Sequence, residues 1–420
     1  MICHPGRRAC VLAFGLAALL SFGSRAHAEA QLLIEASTGK VLHAENATYP
    51  WYPASVTKLM TIYTTLREIK TNHVKFDTLL TVSKNAVAQA PTKMGFALGT
   101  RVTIDNALKM LMVKSANDMA VTLAEGVGGS IESFADLMNA NAARLGMTQS
   151  HFVNPNGLPA DNHVTSARDL AILARALITE FPQYDFYWHI HSIRYGSRVY
   201  RNYNSLLDRY PGADGMKTGF ICASGYNLVA SATRNGRRLI AVVLGAYSGG
   251  VRAQKAAALL ERGFNSGGLS WLTPSLGTVD ALAPVDAQPP NLRDEMCGGH
   301  RRKPASEDND EDDDAQASKD ATPGSDSSAL AYSIKTGITK FVLGPAVETE
   351  EPIRVFTGPA DNPDTVEKTV AARAKTKKKV AAKKPDGDAA KPAAKPAEKP
   401  AADKEKVAAK PKKKVSTATQ

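Results

Sequence analysis

Two strand-like ends bracket a helical middle in this chain, and that order limits the folds open to it. Residues 32–35 and 41–44 are short apolar runs around Ser37-Thr38-Gly39-Lys40, the pattern of a hairpin. Far downstream, residues 238–245 (RLIAVVLG) form an apolar, β-branched run bounded by glycine. Between them, helical patterning marks residues 55–68, 105–123, 133–145 and 166–179, with Asp105 and Ser166 as N-cap candidates. Residues 256–264 read as a closing helix. This order predicts an α+β domain: an antiparallel sheet flanked by helices, with a helical insertion.

That domain occupies residues 29–265, and the ends have other textures. Residues 1–28 read as a secretory signal. Arg7 and Arg8 precede twelve apolar residues, 11–22, and Ala26-His27-Ala28 has the small-residue cleavage pattern. Twelve residues fall short of the roughly 20 that cross a bilayer, so export is expected rather than a membrane anchor. Residues 266–329 read as a disordered linker containing EDNDEDDD at 307–314. Within 330–357, the side chains of Leu330, Ile334, Ile338, Phe341 and Val342 share one helical face. Two readings fit this short stretch, a membrane-surface or partner helix and a transiently ordered patch of linker. Residues 358–420 read as a disordered Lys/Ala/Pro-rich tail.

Charge follows the same division. Residues 366–420 hold 17 basic and 6 acidic side chains, a surplus of +11 that equals the net charge of the whole chain. The other 365 residues balance at 35 against 35, so basicity says nothing about the globular part. With export, the tail is expected to meet anionic envelope polymers or a membrane surface, and no nucleic acid. Cys3 and Cys10 fall in the signal. Cys222 and Cys297 remain; one pair makes no disulfide framework, and neither has zinc-site spacing. No metal, cofactor or redox role is expected.

Three short motifs carry chemistry. Ser55 and Lys58 lie three residues apart behind Pro53, so on a helix they share a face. A hydroxyl becomes a useful nucleophile when a base takes its proton, and a neutral lysine can be that base. Lys114-Ser115-Ala116-Asn117-Asp118 falls between helical stretches and offers a proton relay and an amide; it also reads as a loop of turn formers. Gly215-Met216-Lys217-Thr218-Gly219-Phe220 is strand-like. It presents a cation and a hydroxyl, and Gly219 permits close backbone approach. A second Lys-Thr-Gly at 335–337 follows the acidic run and lacks strand partners.

In that order within one globular segment, the three motifs resemble those of serine penicillin-binding proteins and serine β-lactamases. PASVTKLMT, KSANDMA, GMKTGF, SGYNLVASAT and GLPADNHVTSARDLAIL look closest to the D-alanyl-D-alanine carboxypeptidases of peptidase family S11, over residues 30 to about 265. The resemblance implies Ser55 as nucleophile on the penultimate D-Ala carbonyl of a peptidoglycan stem peptide and Lys58 as its base. It implies Ser115, aided by Lys217, as proton donor to the leaving D-alanine, and Asn117 as a ligand of the substrate amide. The backbone N–H groups of Ser55 and Phe220 would form the oxyanion hole beside Gly219. Thr218 and Arg252 would hold the terminal carboxylate, although many arginines lie near Arg252 and a surface role also fits it. β-Lactams would acylate Ser55. Phe220 departs from relatives with histidine after Lys-Thr-Gly, and the family's small β-rich domain and amphipathic end helix are not evident. No Glu-x-x-Leu-Asn stretch lies between Asn117 and Lys217, which disfavours a class A β-lactamase. DD-endopeptidase action on cross-links and non-catalytic wall binding are the alternatives.

Overall fold

The computed structural model describes residues 29–266, 275–299, 333–335, 338–340, 343–347 and 350–359. The expected signal, the acidic run and the basic tail lie outside these residues.

Strands β1 (Ala30–Glu35) and β2 (Val41–Glu45) form the expected hairpin. Helix α1 (Lys58–Lys70) follows a 3₁₀ turn, Ala54–Thr57. The small pair β3 (Leu79–Thr81) and β4 (Arg101–Thr103) precedes the helical lobe: α2 (Ile104–Val113), α3 (Asn117–Gly128), α4 (Ile131–Leu145) and α5 (Ala167–Glu180). The hairpin of β5 (Ser192–Tyr195) and β6 (Arg198–Arg201) leads to β7 (Ala213–Ile221), β8 (Gly225–Arg234) and β9 (Arg237–Ala246), and α6 (Gly249–Asn265) closes the run. The main sheet is antiparallel, in the order β2-β1-β9-β8-β7.

This sheet is buried on both faces, which explains why β9 reads as a continuous apolar run. Alternate residues serve two cores: Ile240, Val242 and Leu244 join the helical lobe, and Leu239, Ala241 and Val243 pack under α6. Ala256, Ala257 and Leu260 of α6 fill the second layer.

Sequence and structure differ at instructive points. The stretch 105–123 is two helices, broken at Lys114–Ala116, where Ser115 has φ 55°. Thr103, not Asp105, caps α2 by accepting from the Asn106 amide, while Asp105 pairs with Lys109 at 2.6 Å. Ser166 caps α5 as expected. Residues 275–299 are no linker: Thr278 bridges Lys40, Val279 N donates to Gly39 O, and Leu292 and Met296 are buried in the larger core. Cys222 and Cys297, too few for a disulfide framework, are nevertheless bonded to each other, which fastens this strap to the β7–β8 turn. The stretch read as helical around 330–342 contains strands β10 (Ser333–Lys335) and β11 (Ile338–Lys340), paired antiparallel. Ile334, Ile338 and Thr339 are β-branched and favour extended backbone. Strand β12 (Ile353–Arg354) adds in parallel to β5, and Val355 beyond it is buried.

Candidate active site

The site lies where the 3₁₀ turn before α1 meets β7 and the α2–α3 break. Lys58 is fully buried, and Ser55 is half-buried on the same helical face. Lys58 Nζ contacts Ser55 Oγ at 2.8 Å, Asn117 Oδ1 at 2.8 Å and the Asn156 carbonyl at 2.7 Å. As the contacts stand Nζ donates to all three; once deprotonated it keeps two of these donations and turns its lone pair to the Ser55 hydroxyl.

The α2–α3 break brings in the second motif. Asn117 donates through Nδ2 to Ala90 O at 3.0 Å, so its amide is held between that carbonyl and Lys58. A loop from residue 90 to 95 is stitched to this break. The Thr92 hydroxyl donates to Ser115 O, the Asn117 amide donates to Thr92 O, and Asp118 accepts from the Met94 and Gly95 amides. Burial holds the Asp118 carboxyl above its usual range, and these amides offset only part of that rise.

The third motif enters on β7. Gly219 is opposite Asn227 on β8. A Cβ at Gly219 would lie 2.7 Å from Ser55 N and 2.9 Å from Val56 N, so only a bare α-carbon fits beside the Ser55 backbone. Lys217 and Thr218 are each 1% exposed, and Lys217 Nζ donates to Thr218 O at 3.2 Å. Two buried hydroxyls here, Ser115 Oγ and Thr218 Oγ1, have no hydrogen-bond partner among the described residues. Buried polar groups are normally satisfied, so this pair marks a surface arranged for a polar ligand.

Arg252 is 2% exposed, which rules out the surface role. Its guanidinium lies over the Tyr226 ring, 5.5 Å from the centroid, with Asn227 O and Tyr203 O as acceptors at 3.4 Å. Tyr226 in turn packs on Phe220, ring centroids 4.4 Å apart.

Four positioning groups escaped the motif reading. Asn156 supplies the third acceptor of Lys58. Gly157 presses onto Ala54, where a Cβ would fall 1.8 Å from the carbonyl oxygen. Asn-Pro-Asn-Gly at 154–157 is a turn-former run that signals such a loop. His163 Nε2 is 2.8 Å from Thr57 Oγ1, and its Nδ1 accepts from the Val153 amide, so Nε2 carries the proton and donates. Burial first, then the charges of His151 and Lys58, hold its pKa down to about 3. Asn227 donates to the carbonyls of Tyr52 and Pro53 and accepts from the Gly245 amide. His163 and Asn227 lie inside stretches that carried the family resemblance, without a chemical signal of their own.

An antiparallel sheet beside a helical lobe, with a Ser-x-x-Lys pair between them, defines the class of serine penicillin-binding proteins. The chain belongs to the D-alanyl-D-alanine carboxypeptidase family, peptidase S11, whose model matches residues 21–248. It is 38% identical over 249 residues to D-alanyl-D-alanine carboxypeptidase DacC of Escherichia coli, covering 56% of this chain and 61% of that one. DacD of the same organism is 37% identical over 244 residues, covering 56% and 63%. The crystal structure of penicillin binding protein 6B from Escherichia coli superposes with a TM-score of 0.54 at 36% identity, over 57% of this chain and 78% of that one. The match thus spans about three fifths of the length of these curated relatives.

Proposed function

We propose that the chain is an exported serine D-Ala-D-Ala carboxypeptidase that removes the terminal D-alanine from peptidoglycan stem pentapeptides. The observation that carries this is the 2.8 Å contact between Ser55 Oγ and a fully buried Lys58 Nζ whose other acceptors are fixed.

Ser55 Oγ attacks the penultimate D-Ala carbonyl while the Lys58 lone pair takes its proton. The oxyanion forms beside Gly219, where the N–H groups of Ser55 and Phe220 receive it; each such donor contributes about 3 kcal/mol. Ser115, with Lys217 nearby, delivers a proton to the departing D-alanine amine as the C–N bond breaks. Thr218 and Arg252 hold the terminal carboxylate, Asn117 the substrate amide. Water then hydrolyses the ester, which frees the acid and returns the proton to Ser55. A β-lactam enters by the same attack and remains as an ester. The Cys222–Cys297 bond supports export, because disulfides persist in oxidising compartments. No described helix is long and apolar enough to cross a membrane.

The test follows D-alanine release from a soluble pentapeptide and monomer release from a cross-linked dimer. Release from the pentapeptide, lost in Ser55→Ala, supports the reading. Release from the dimer alone would assign an endopeptidase, and release from neither would leave a wall-binding protein.

A further inference from the structure

Two acceptors of Lys58 Nζ are held from one place in the chain. Asn117 Oδ1 takes one N–H and Asn156 O takes another. The Asn117 side chain is fixed at its other end by Ala90 O, to which its Nδ2 donates. The Asn156 side chain is fixed by the preceding residue, Gln89: Asn156 Nδ2 donates to Gln89 Oε1 at 2.8 Å. Asn156 Oδ1 also accepts from the Leu158 amide at 3.1 Å, so this side chain is gripped at both ends. Residues 89 and 90 therefore brace both groups that aim the amine.

The brace is itself anchored. Gln89 ends the short helix Lys84–Ala88, which Ser83 caps by accepting from the Ala86 amide. Asn85 on that helix donates to Glu125 of α3 at 2.9 Å, and Gln89 Nε2 donates back to Asn85 O at 3.1 Å. Lys93 Nζ donates to the carbonyls of Val87 and Gln89 at 2.9 and 2.8 Å, which folds the loop back onto the helix end. Gln89 is half-buried and Asn156 is 3% exposed, so losing the Gln89 acceptor leaves a buried N–H without that partner. The consequence reaches Lys58. A deprotonated amine can rotate about its Cε–Nζ bond, and the direction of its lone pair is set by where its two acceptors stand. If the Asn156 carbonyl drifts, that lone pair is free to turn away from Ser55.

We propose that Gln89 is a positioning residue for the base: through Asn156 it fixes the direction of the Lys58 lone pair toward Ser55. This rests on the reading of Lys58 as the base that activates Ser55. Gln89 bonds to Asn85, Ala86, Lys93 and Asn156, none of which is assigned to substrate. Its loss is therefore expected in the acylation step and not in binding.

The test measures acylation by benzylpenicillin in stopped flow, on the full-length chain and its Gln89→Met and Gln89→Glu variants. The concentration dependence separates the dissociation constant of the first complex from the rate constant of acylation. Methionine keeps the length of the side chain and loses the acceptor. Glutamate keeps an acceptor for Asn156 Nδ2, with the Lys93 ammonium close to its charge. Gln89→Met is expected to lower the acylation rate constant about tenfold with the dissociation constant unchanged within about twofold, and Gln89→Glu to return the rate to within about threefold of the wild type. A side chain that merely ties down the helix end would leave the rate constant where it was. Gln89→Met acylating at the wild-type rate therefore overturns the proposal. So does a loss carried by the dissociation constant, or a Gln89→Glu variant as slow as Gln89→Met. If the reading of Ser55 and Lys58 fails instead, the wild type itself is not acylated, and the proposal falls with it.

Discussion

Gly219 leaves no room for a side chain against Ser55: a Cβ there would sit 2.7 Å from the Ser55 nitrogen and 3.2 Å from Pro53 O. The contact is backbone on backbone, so relief requires the Ser55 turn or β7 to move. Gly219→Ala is therefore expected to slow acylation by penicillin about 100-fold, the usual consequence of a misplacement near 1 Å. Stopped-flow or gel-based acylation rates check this; a variant that acylates at the wild-type rate would show that the turn yields freely.

Asn227 ties the strand opposite Gly219 to the residues before Ser55. Asn227→Ala leaves the carbonyls of Tyr52 and Pro53 and the amide of Gly245 without this partner. The expected result is about 2 kcal/mol or more of lost stability in urea, together with slower acylation.

His163 gives a pH dependence with a definite sign. An unfolded histidine takes a proton near pH 6.5, the folded one only near 3. Between those values the unfolded state binds more protons, so this contribution is complete above pH 6.5 and is lost as pH falls. From pH 6.5 to 4.5 that is about 2 kcal/mol. Unfolding free energies measured at both pH values should show the wild type losing this much more than His163→Gln.

The Cys222–Cys297 bond closes a loop of 75 residues in sequence separation. Chain entropy assigns about 4 kcal/mol to a loop of that size. Cys222→Ala/Cys297→Ala is expected to lower the unfolding free energy by up to that amount, less where Leu292 and Met296 still hold the strap in the core.

The three motifs were legible because each couples a polar side chain to a local pattern: a helix face for Ser55 and Lys58, a helix break for Ser115 and Asn117, a glycine-bearing strand for Lys217. The sheet was legible in outline because β9 is apolar on both faces, and only a doubly covered strand needs that. What escaped depends on distance in the chain. Asn156 acts through its backbone carbonyl, which no residue type announces. Cys222 finds its partner in a Pro- and charge-rich stretch whose few apolar residues, Val279, Leu292 and Met296, suffice to anchor it. The helical pattern of residues 330–342 lost to β-branching at Ile334, Ile338 and Thr339.

The most direct test of Ser55 as a lysine-activated nucleophile is intact-mass analysis after exposure to benzylpenicillin, on the wild type, Ser55→Ala and Lys58→Ala. The expected result is a single penicilloyl adduct on the wild type that maps to Ser55, none on Ser55→Ala, and at most a trace on Lys58→Ala. An adduct on Ser55→Ala, or a Lys58→Ala protein that acylates as fast as the wild type, would contradict it.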